Sequence, residues 1–145
     1  MAGGAGVEWY FGYKWAHNDL NCEDWRSRDH MWDLTRYALE FFRKRLPFTG
    51  MNHHDELTSA KDDYCFAKPG QIYVIYLPTG GTTKLDLGND SRLFAVQWFN
   101  PRAGGALRAG SVRSVKGPGE VAIGQPPEDN SKDWVALVQS ALEKL

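Results

Sequence analysis

The chain has 145 residues, a length that suits one domain or one small domain with an appendage. Apolar residues make up 42% and the formal net charge is -1 with both signs scattered, so a core is expected, while no basic stripe points to nucleic acid and no Lys/Arg block points to a membrane surface. No apolar run approaches the ~20 residues of a membrane span, and the first residues carry neither a basic start nor an apolar core, so no export signal is encoded in this chain.

The chain opens on "GGAGVEWYFGYKWAHNDL", residues 3–20, where small residues lead into a carboxylate, five aromatics, a histidine and an aspartate. Eleven of the nineteen aromatics fall in residues 1–48, and acids outnumber bases before residue 64 but not after it, so the character of the chain changes near residue 60. "NCEDWRSRDHMWDLTRYALEFFRKRLPF" predicts one long helix. Asn21 is a good N-cap, with Glu23 and Asp24 in the first turn and Arg43, Lys44 and Arg45 in the last, each where the helix dipole favours its charge. Trp25, Met31, Trp32, Leu34, Ala38, Leu39, Phe41, Phe42 and Leu46 recur at three- and four-residue steps, and Pro47 ends the pattern. So wide an apolar stripe must lie against something large, such as a sheet or a barrel wall.

"TGMNHHDELTSAKDD" is polar and unpatterned and reads as a connection. Short strands split by turn signals follow: "DYCFAKPG", "QIYVIYLP", "KLDL", "RLFAVQWFN", "ALRAGSVRSV", "EVAIG" and "DWVALVQ". "QIYVIYLP" is apolar on both faces and is expected at the centre of its sheet. "SALEKL" reads as a strand extension, a short helix or a tail. The fold class predicted is mainly β: a seven-strand antiparallel β-sandwich preceded by an aromatic-rich loop and one long α-helix.

Chemistry-bearing groups are few. His53 and His54 stand beside Asp55 and Glu56, but adjacent residues on a strand face opposite ways and rarely share a metal; a solvated loop is the plainer reading. His17 with Asp19 is too small a set for a catalytic zinc, and no nucleophile elbow or phosphate loop is present. No cofactor or metal is expected. Cys22 and Cys65 lack metal-ligand spacing and read as free, partly buried thiols, or as a disulfide in a secreted chain. The sharpest cluster is Glu8 among Trp9, Tyr10, Phe11, Tyr13 and Trp15. Aromatic faces stack on the apolar face of a sugar ring while a carboxylate accepts its hydroxyls, and ligand sites combine apolar walls with a few placed polar groups. The plainer alternative packs these aromatics under the helix as core. In "VQWFN", Trp98 in the core leaves Gln97 and Phe99 facing out, or the reverse. "NPRAGG" reads as a structural turn whose Arg102 pairs with a nearby acid, and Trp134 as a core anchor.

"GGAGVEWYFGY…HNDLNCEDWRSRDHMWDLTRYALEFF", with "VQWFNPRAGG" and a closing "DWVALV", resembles the C-terminal part of bacterial glycoside-hydrolase-like proteins related to apiosidase-type glycosidases. Those proteins have a (β/α)8 barrel followed by a small β-sandwich known as the collagen-binding domain of a collagenase. The resemblance implies that residues 1–59 are a barrel remnant, its eighth-strand loop and eighth helix, and that residues 60–145 are the appended sandwich. It also implies that the opening loop faces a sugar pocket, with Glu8, Trp9, Tyr10, Tyr13, Trp15, His17 and Asp19 as lining residues. Glycoside hydrolysis needs two carboxylates. In such barrels these are expected near the ends of the fourth and seventh strands, upstream of Met1, so no catalytic residue is expected in this chain.

Three functions follow from these readings. The leading one is a non-catalytic accessory domain that supports the barrel or binds polysaccharide. The others are a collagen- or protein-binding module, and part of a hydrolase active site that upstream residues complete. A small hydrolase using Glu8 with His17 or Asp19 would lack a complete constellation. Expected partners are polysaccharide, the barrel, or a second copy meeting the exposed helix face; a nucleic acid or a membrane is not expected. Location is extracellular or periplasmic if the parent protein is secreted.

Overall fold

The computed structural model describes residue 26 and residues 29–140. Period-two alternation organises the molecule. In "IYVIYL", Tyr73, Ile75 and Leu77 point to one face and Ile72, Val74 and Tyr76 to the other, and the two sets join different cores. The strand is buried almost throughout, as expected of a central position.

Eight strands form among the described residues: β1 (Asn52–His53), β2 (Tyr64–Lys68), β3 (Ile72–Leu77), β4 (Lys84–Asp86), β5 (Leu93–Phe99), β6 (Ser114–Lys116), β7 (Glu120–Ala122) and β8 (Trp134–Ser140). Six make one sheet in the order β1-β2-β3-β8-β5-β6, and β4 and β7 pair as a ribbon. Every pairing between strands is antiparallel. The last strand in sequence is central in space: β8 lies between β3 and β5, and its "WVALVQS" is buried on both faces.

The ribbon covers one face of the large sheet. Trp98, Trp134, Tyr73, Phe94, Ile75 and Leu77 from the sheet meet Leu85, Leu87 and Ile123 from the ribbon side. Trp98 and Trp134 are fully buried. Each aromatic of this size removes ~150–250 Å² from water, so these two side chains anchor the interior. Trp134 is thus the core anchor that the sequence suggests.

Helix α1 (Asp29–Arg45) covers the other face. Phe41 stacks on Phe99 with ring centroids 4.6 Å apart at 29°, and Phe42 lies 6.1 Å from Phe66. Met51, Ile72, Val74, Val135 and Leu137 complete this second core. Phe99 therefore faces away from Trp98, as alternation demands, yet it is buried rather than facing solvent, because α1 lies over it. Asp29 sits in the first turn of α1 and Arg43, Lys44 and Arg45 in the last. Leu46 still donates its N–H to the Phe42 carbonyl, and beyond Pro47 the chain turns through a short 3-10 segment, Phe48–Gly50. The helix cap and first turn predicted at Asn21, Glu23, Asp24 and Trp25 lie outside the described residues.

Two expectations change. "TGMNHHDELTSAKDD" is more than a connection, since it contributes β1, which adds to the sheet edge beside β2, and a 3-10 turn at Asp55–Leu57. "ALRAGSVRSV" is not one continuous strand. Only Ser114–Lys116 pairs with β5, and Arg108 makes a lone bridge to Trp98. The cause is close packing: a Cβ at Gly110 would lie 2.3 Å from both the Gln125 carbonyl oxygen and Trp98 Nε1, so the backbone there is pressed onto its neighbours instead of running in a ladder. Of "SALEKL", Ser140 ends β8 and the rest lies outside the described residues.

Candidate functional site

The residues predicted to line a sugar pocket, Glu8, Trp9, Tyr10, Tyr13, Trp15, His17 and Asp19, lie outside the described residues, as does Cys22. Cys65 is a free, fully buried thiol on β2, and burial pushes its pKa up to about 12. His53 lies exposed on the edge strand, while His54 Nδ1 sits 2.9 Å from Glu56 Oε1. Among the described residues, no group of three or more His, Cys, Asp or Glu side chains is arranged to hold a metal.

Sandwich aromatics divide sharply by environment. Tyr73, Phe94, Trp98, Phe99 and Trp134 are buried, whereas Tyr64 is 41% exposed. Register explains the difference. Tyr64 pairs with Tyr76, Tyr76 with Val135, and Val135 with Phe99, so these four form one row across the α1 face of the sheet. Phe41 covers the Phe99 end of the row. At the other end Tyr64 and Tyr76 stack on each other, centroids 6.3 Å apart at 26°.

A polar cluster adjoins this pair. Tyr76 donates its hydroxyl to Asp133 Oδ2 at 3.2 Å, and Arg102 Nη1 donates to Asp133 Oδ1 at 2.8 Å and to the Asp133 carbonyl. The "NPRAGG" turn places Arg102. Asn100 Oδ1 accepts the Arg102 N–H at 3.0 Å, the Asn100 carbonyl accepts the Gly104 N–H at 2.9 Å, and Gly104 takes φ +67. Arg102 pairs with an acid, as its sequence setting suggests, and also lies 5.3 Å from the centre of the Trp134 ring. Arg108 approaches the same ring at 5.8 Å while holding Glu128 through two hydrogen bonds. Burial, then the Asp133 charge and the hydrogen bond to it, raise the Tyr76 pKa, so its phenol stays a donor at neutral pH. The corner thus offers an aromatic face, hydroxyls, a carboxylate and a guanidinium. Both Asp133 oxygens are already bonded to side chains of the domain, an arrangement suited to binding rather than to proton transfer. Sequence reading missed this corner because Tyr64 and Tyr76 look like ordinary strand aromatics until their register is known.

The second surface of note is the outer side of α1. Trp32 and Leu39 are 44% and 45% exposed, seven residues apart on one stripe, with Thr35, Arg36 and Arg43 beside them. Ion pairs flank the stripe, Arg36 to Asp33 at 2.8 Å and Lys44 to Glu40 at 3.1 Å. No helix among the described residues is long and apolar enough to cross a membrane.

A two-core β-sandwich with a helix on one sheet face is the architecture to compare. The family described as "Putative collagen-binding domain of a collagenase" matches residues 53–139, more than half of the chain, and the chain belongs to this family. Two solved structures share the fold. One, titled "Glycoside hydrolase", aligns at a TM-score of 0.68 and 14% identity over 83% of this chain and 28% of its own. The other, a glycoside hydrolase family 5 protein from Bacteroides vulgatus ATCC 8482, aligns at 0.64 and 11% over 79% of this chain and 25% of its own. This chain therefore spans about a quarter of the length of those proteins. The 83% exceeds everything from residue 53 to the C-terminus, so the likeness extends upstream of the family match. No curated protein matches the chain.

Proposed function

We propose that the chain is a non-catalytic accessory domain of a glycoside-hydrolase-like protein, with the sandwich of residues 60–145 carried behind a catalytic portion that residues 1–59 join. The observation that carries this reading is the two-sided seating of α1. Its Phe41 side is spent on the sandwich, while Trp32 and Leu39 face outward. A helix with a second apolar stripe bridges two bodies. The likeness to glycoside hydrolases of which this chain covers about a quarter supports the presence of a second body, and interfaces between domains of one chain are of this mixed apolar and charged kind.

The test mixes this chain with a separately produced catalytic portion of a glycoside-hydrolase-like polypeptide that lacks it. The wild-type chain should raise the melting temperature of that portion, and Leu39→Asp should abolish the rise while leaving the chain's own unfolding little changed. The chain alone should release no reducing sugar from gluco-, manno- or xylo-oligosaccharides. Hydrolysis by the chain alone, absence of any stabilisation, or a stable homodimer that Leu39→Asp dissociates would each overturn the reading.

A further inference from the structure

We infer that the Tyr64–Tyr76–Asp133–Arg102 corner is a binding subsite for a neutral polysaccharide chain. This inference does not rest on the docking of α1, because the corner belongs to the sandwich itself.

Position is the first argument. Tyr64 is the outermost aromatic of its row, at the open edge of β2. β1 pairs only with Phe66 and Ala67 and stops short of Tyr64. The ring is therefore flanked by Tyr76 on one side and is 41% exposed. Burial would have been easy to achieve, since the same row is covered at Phe99 and the next residue on this face, Phe66, packs beneath Phe42. An exposed aromatic held in place by a stacked partner is a rigid platform with few rotamers to freeze on binding.

Polar groups make the second argument. Beside the platform stand the Tyr76 hydroxyl, the Asp133 carboxylate and the Arg102 guanidinium, joined in a fixed chain of hydrogen bonds. Asp133 and Arg102 side chains keep about a quarter of their surface, 26% and 29%. A carboxylate oxygen accepts more than one hydrogen bond, so Asp133 retains capacity for sugar hydroxyls. Internal bonds hold it in place beforehand, as binding groups should be held.

Charge selects among glycans. Arg102 is neutralised by Asp133, and the exposed Asp62 lies two residues before Tyr64, whereas Asp63 is buried away from this surface. An acidic polymer such as a polyuronate would meet net negative charge here, whereas a neutral hexopyranose or pentopyranose chain would not. Collagen is the competing macromolecule. It would need an extended trench, but among the sandwich aromatics Tyr64 alone is exposed, at 41%, while Phe66 and Tyr76 are half-buried and the others buried.

The experiment titrates the whole chain with cellohexaose, mannohexaose and xylohexaose, with oligogalacturonate and a triple-helical collagen peptide as comparisons, and follows NMR shifts and calorimetric heat. At least one neutral oligosaccharide should bind and shift the Tyr64 and Tyr76 ring resonances. Tyr64→Ala should weaken it about tenfold or more, Tyr64→Phe by less than about fivefold, and Phe48→Ala, at another exposed aromatic, should have no effect. Thermal unfolding of each variant separates lost binding from lost fold, and the wild-type ring shifts report the site without any variant. Absence of binding by all three neutral sugars, equal loss in Tyr64→Ala and Phe48→Ala, or binding of collagen or galacturonate alone would overturn the inference.

Discussion

Gly104→Ala measures how firmly α1 rests on the sandwich. Gly104 has φ +67, and a Cβ there would lie 2.4 Å from Tyr37 Cδ1, with Cγ and Cε1 of the same ring at 2.7 and 2.8 Å. Two costs follow. A left-handed conformation costs an alanine about 1–2 kcal/mol. Forcing a methyl group into a filled contact costs about 1–3 kcal/mol more. Gly105 supplies an internal control, because it has φ +90 with nothing within 4 Å of its added Cβ. Gly105→Ala should therefore lose only the conformational part. Tyr37→Ala removes the obstructing ring, so in that background Gly104→Ala should again cost only the conformational part, a coupling of about 1–3 kcal/mol. The assay is urea unfolding followed by tryptophan fluorescence, with the slope against denaturant required to stay constant. Equal losses at Gly104 and Gly105, together with additivity at Tyr37 within about 0.5 kcal/mol, would show that α1 does not bear on the turn after β5.

Other expectations probe different layers. Phe41→Ala, which empties the contact with Phe99, should cost about 3–5 kcal/mol if helix and sheet unfold together, and much less if the helix detaches alone; circular dichroism and near-ultraviolet probes should then give separate transitions. In a Cys22→Ser background, the Cys65 thiol, pushed up to about 12 by burial, should react with a thiol reagent only as fast as the domain opens, and brisk labelling of the native chain would refute its place in the core. Burial also raises the Asp63 pKa, against a hydrogen bond from the Thr83 side chain. The folded state then holds that proton more tightly than the unfolded chain, so this group's contribution to stability declines as pH rises from the ordinary carboxylate range through its folded value. Asp63→Asn should accordingly gain relative to wild type at neutral pH, with the two denaturation curves converging near pH 3, and a variant that is less stable at every pH would contradict the account.

Much of the architecture was readable because turn residues and period-two patterning are local. "QIYVIYLP" shows its central burial in composition alone, since a strand covered on both faces has no polar alternation to keep. The place of β8 was not readable. Nothing in "DWVALVQ" says that the last strand will insert between β3 and β5, because that pairing joins residues far apart in sequence and is decided by the whole sheet. The broken "ALRAGSVRSV" segment failed for a similar reason: its irregularity is caused by the carbonyl of Gln125 and the indole of Trp98, neither of which is near it in sequence. β1 was hidden by its length, since two residues carry no period at all.

The candidate site illustrates the same division more severely. An aromatic-rich run such as residues 9–15 draws the eye because its groups are contiguous, and those residues lie outside the described structure. The corner that is described is assembled from four places, at Tyr64, Tyr76, Arg102 and Asp133, each unremarkable in its own segment. What turns them into one surface is a register, Tyr64 opposite Tyr76, and a glycine-dependent turn that brings Arg102 over Asp133. A one-residue slip of β2 against β3 would send Tyr64 to the ribbon side and bring Cys65 to the α1 face. The burial of Cys65 in the ribbon-side core forbids that slip. The packing that hides the thiol is therefore the same constraint that fixes Tyr64 on the α1 face, so a core substitution at Cys65 that loosens the register should impair binding at Tyr64 without touching it.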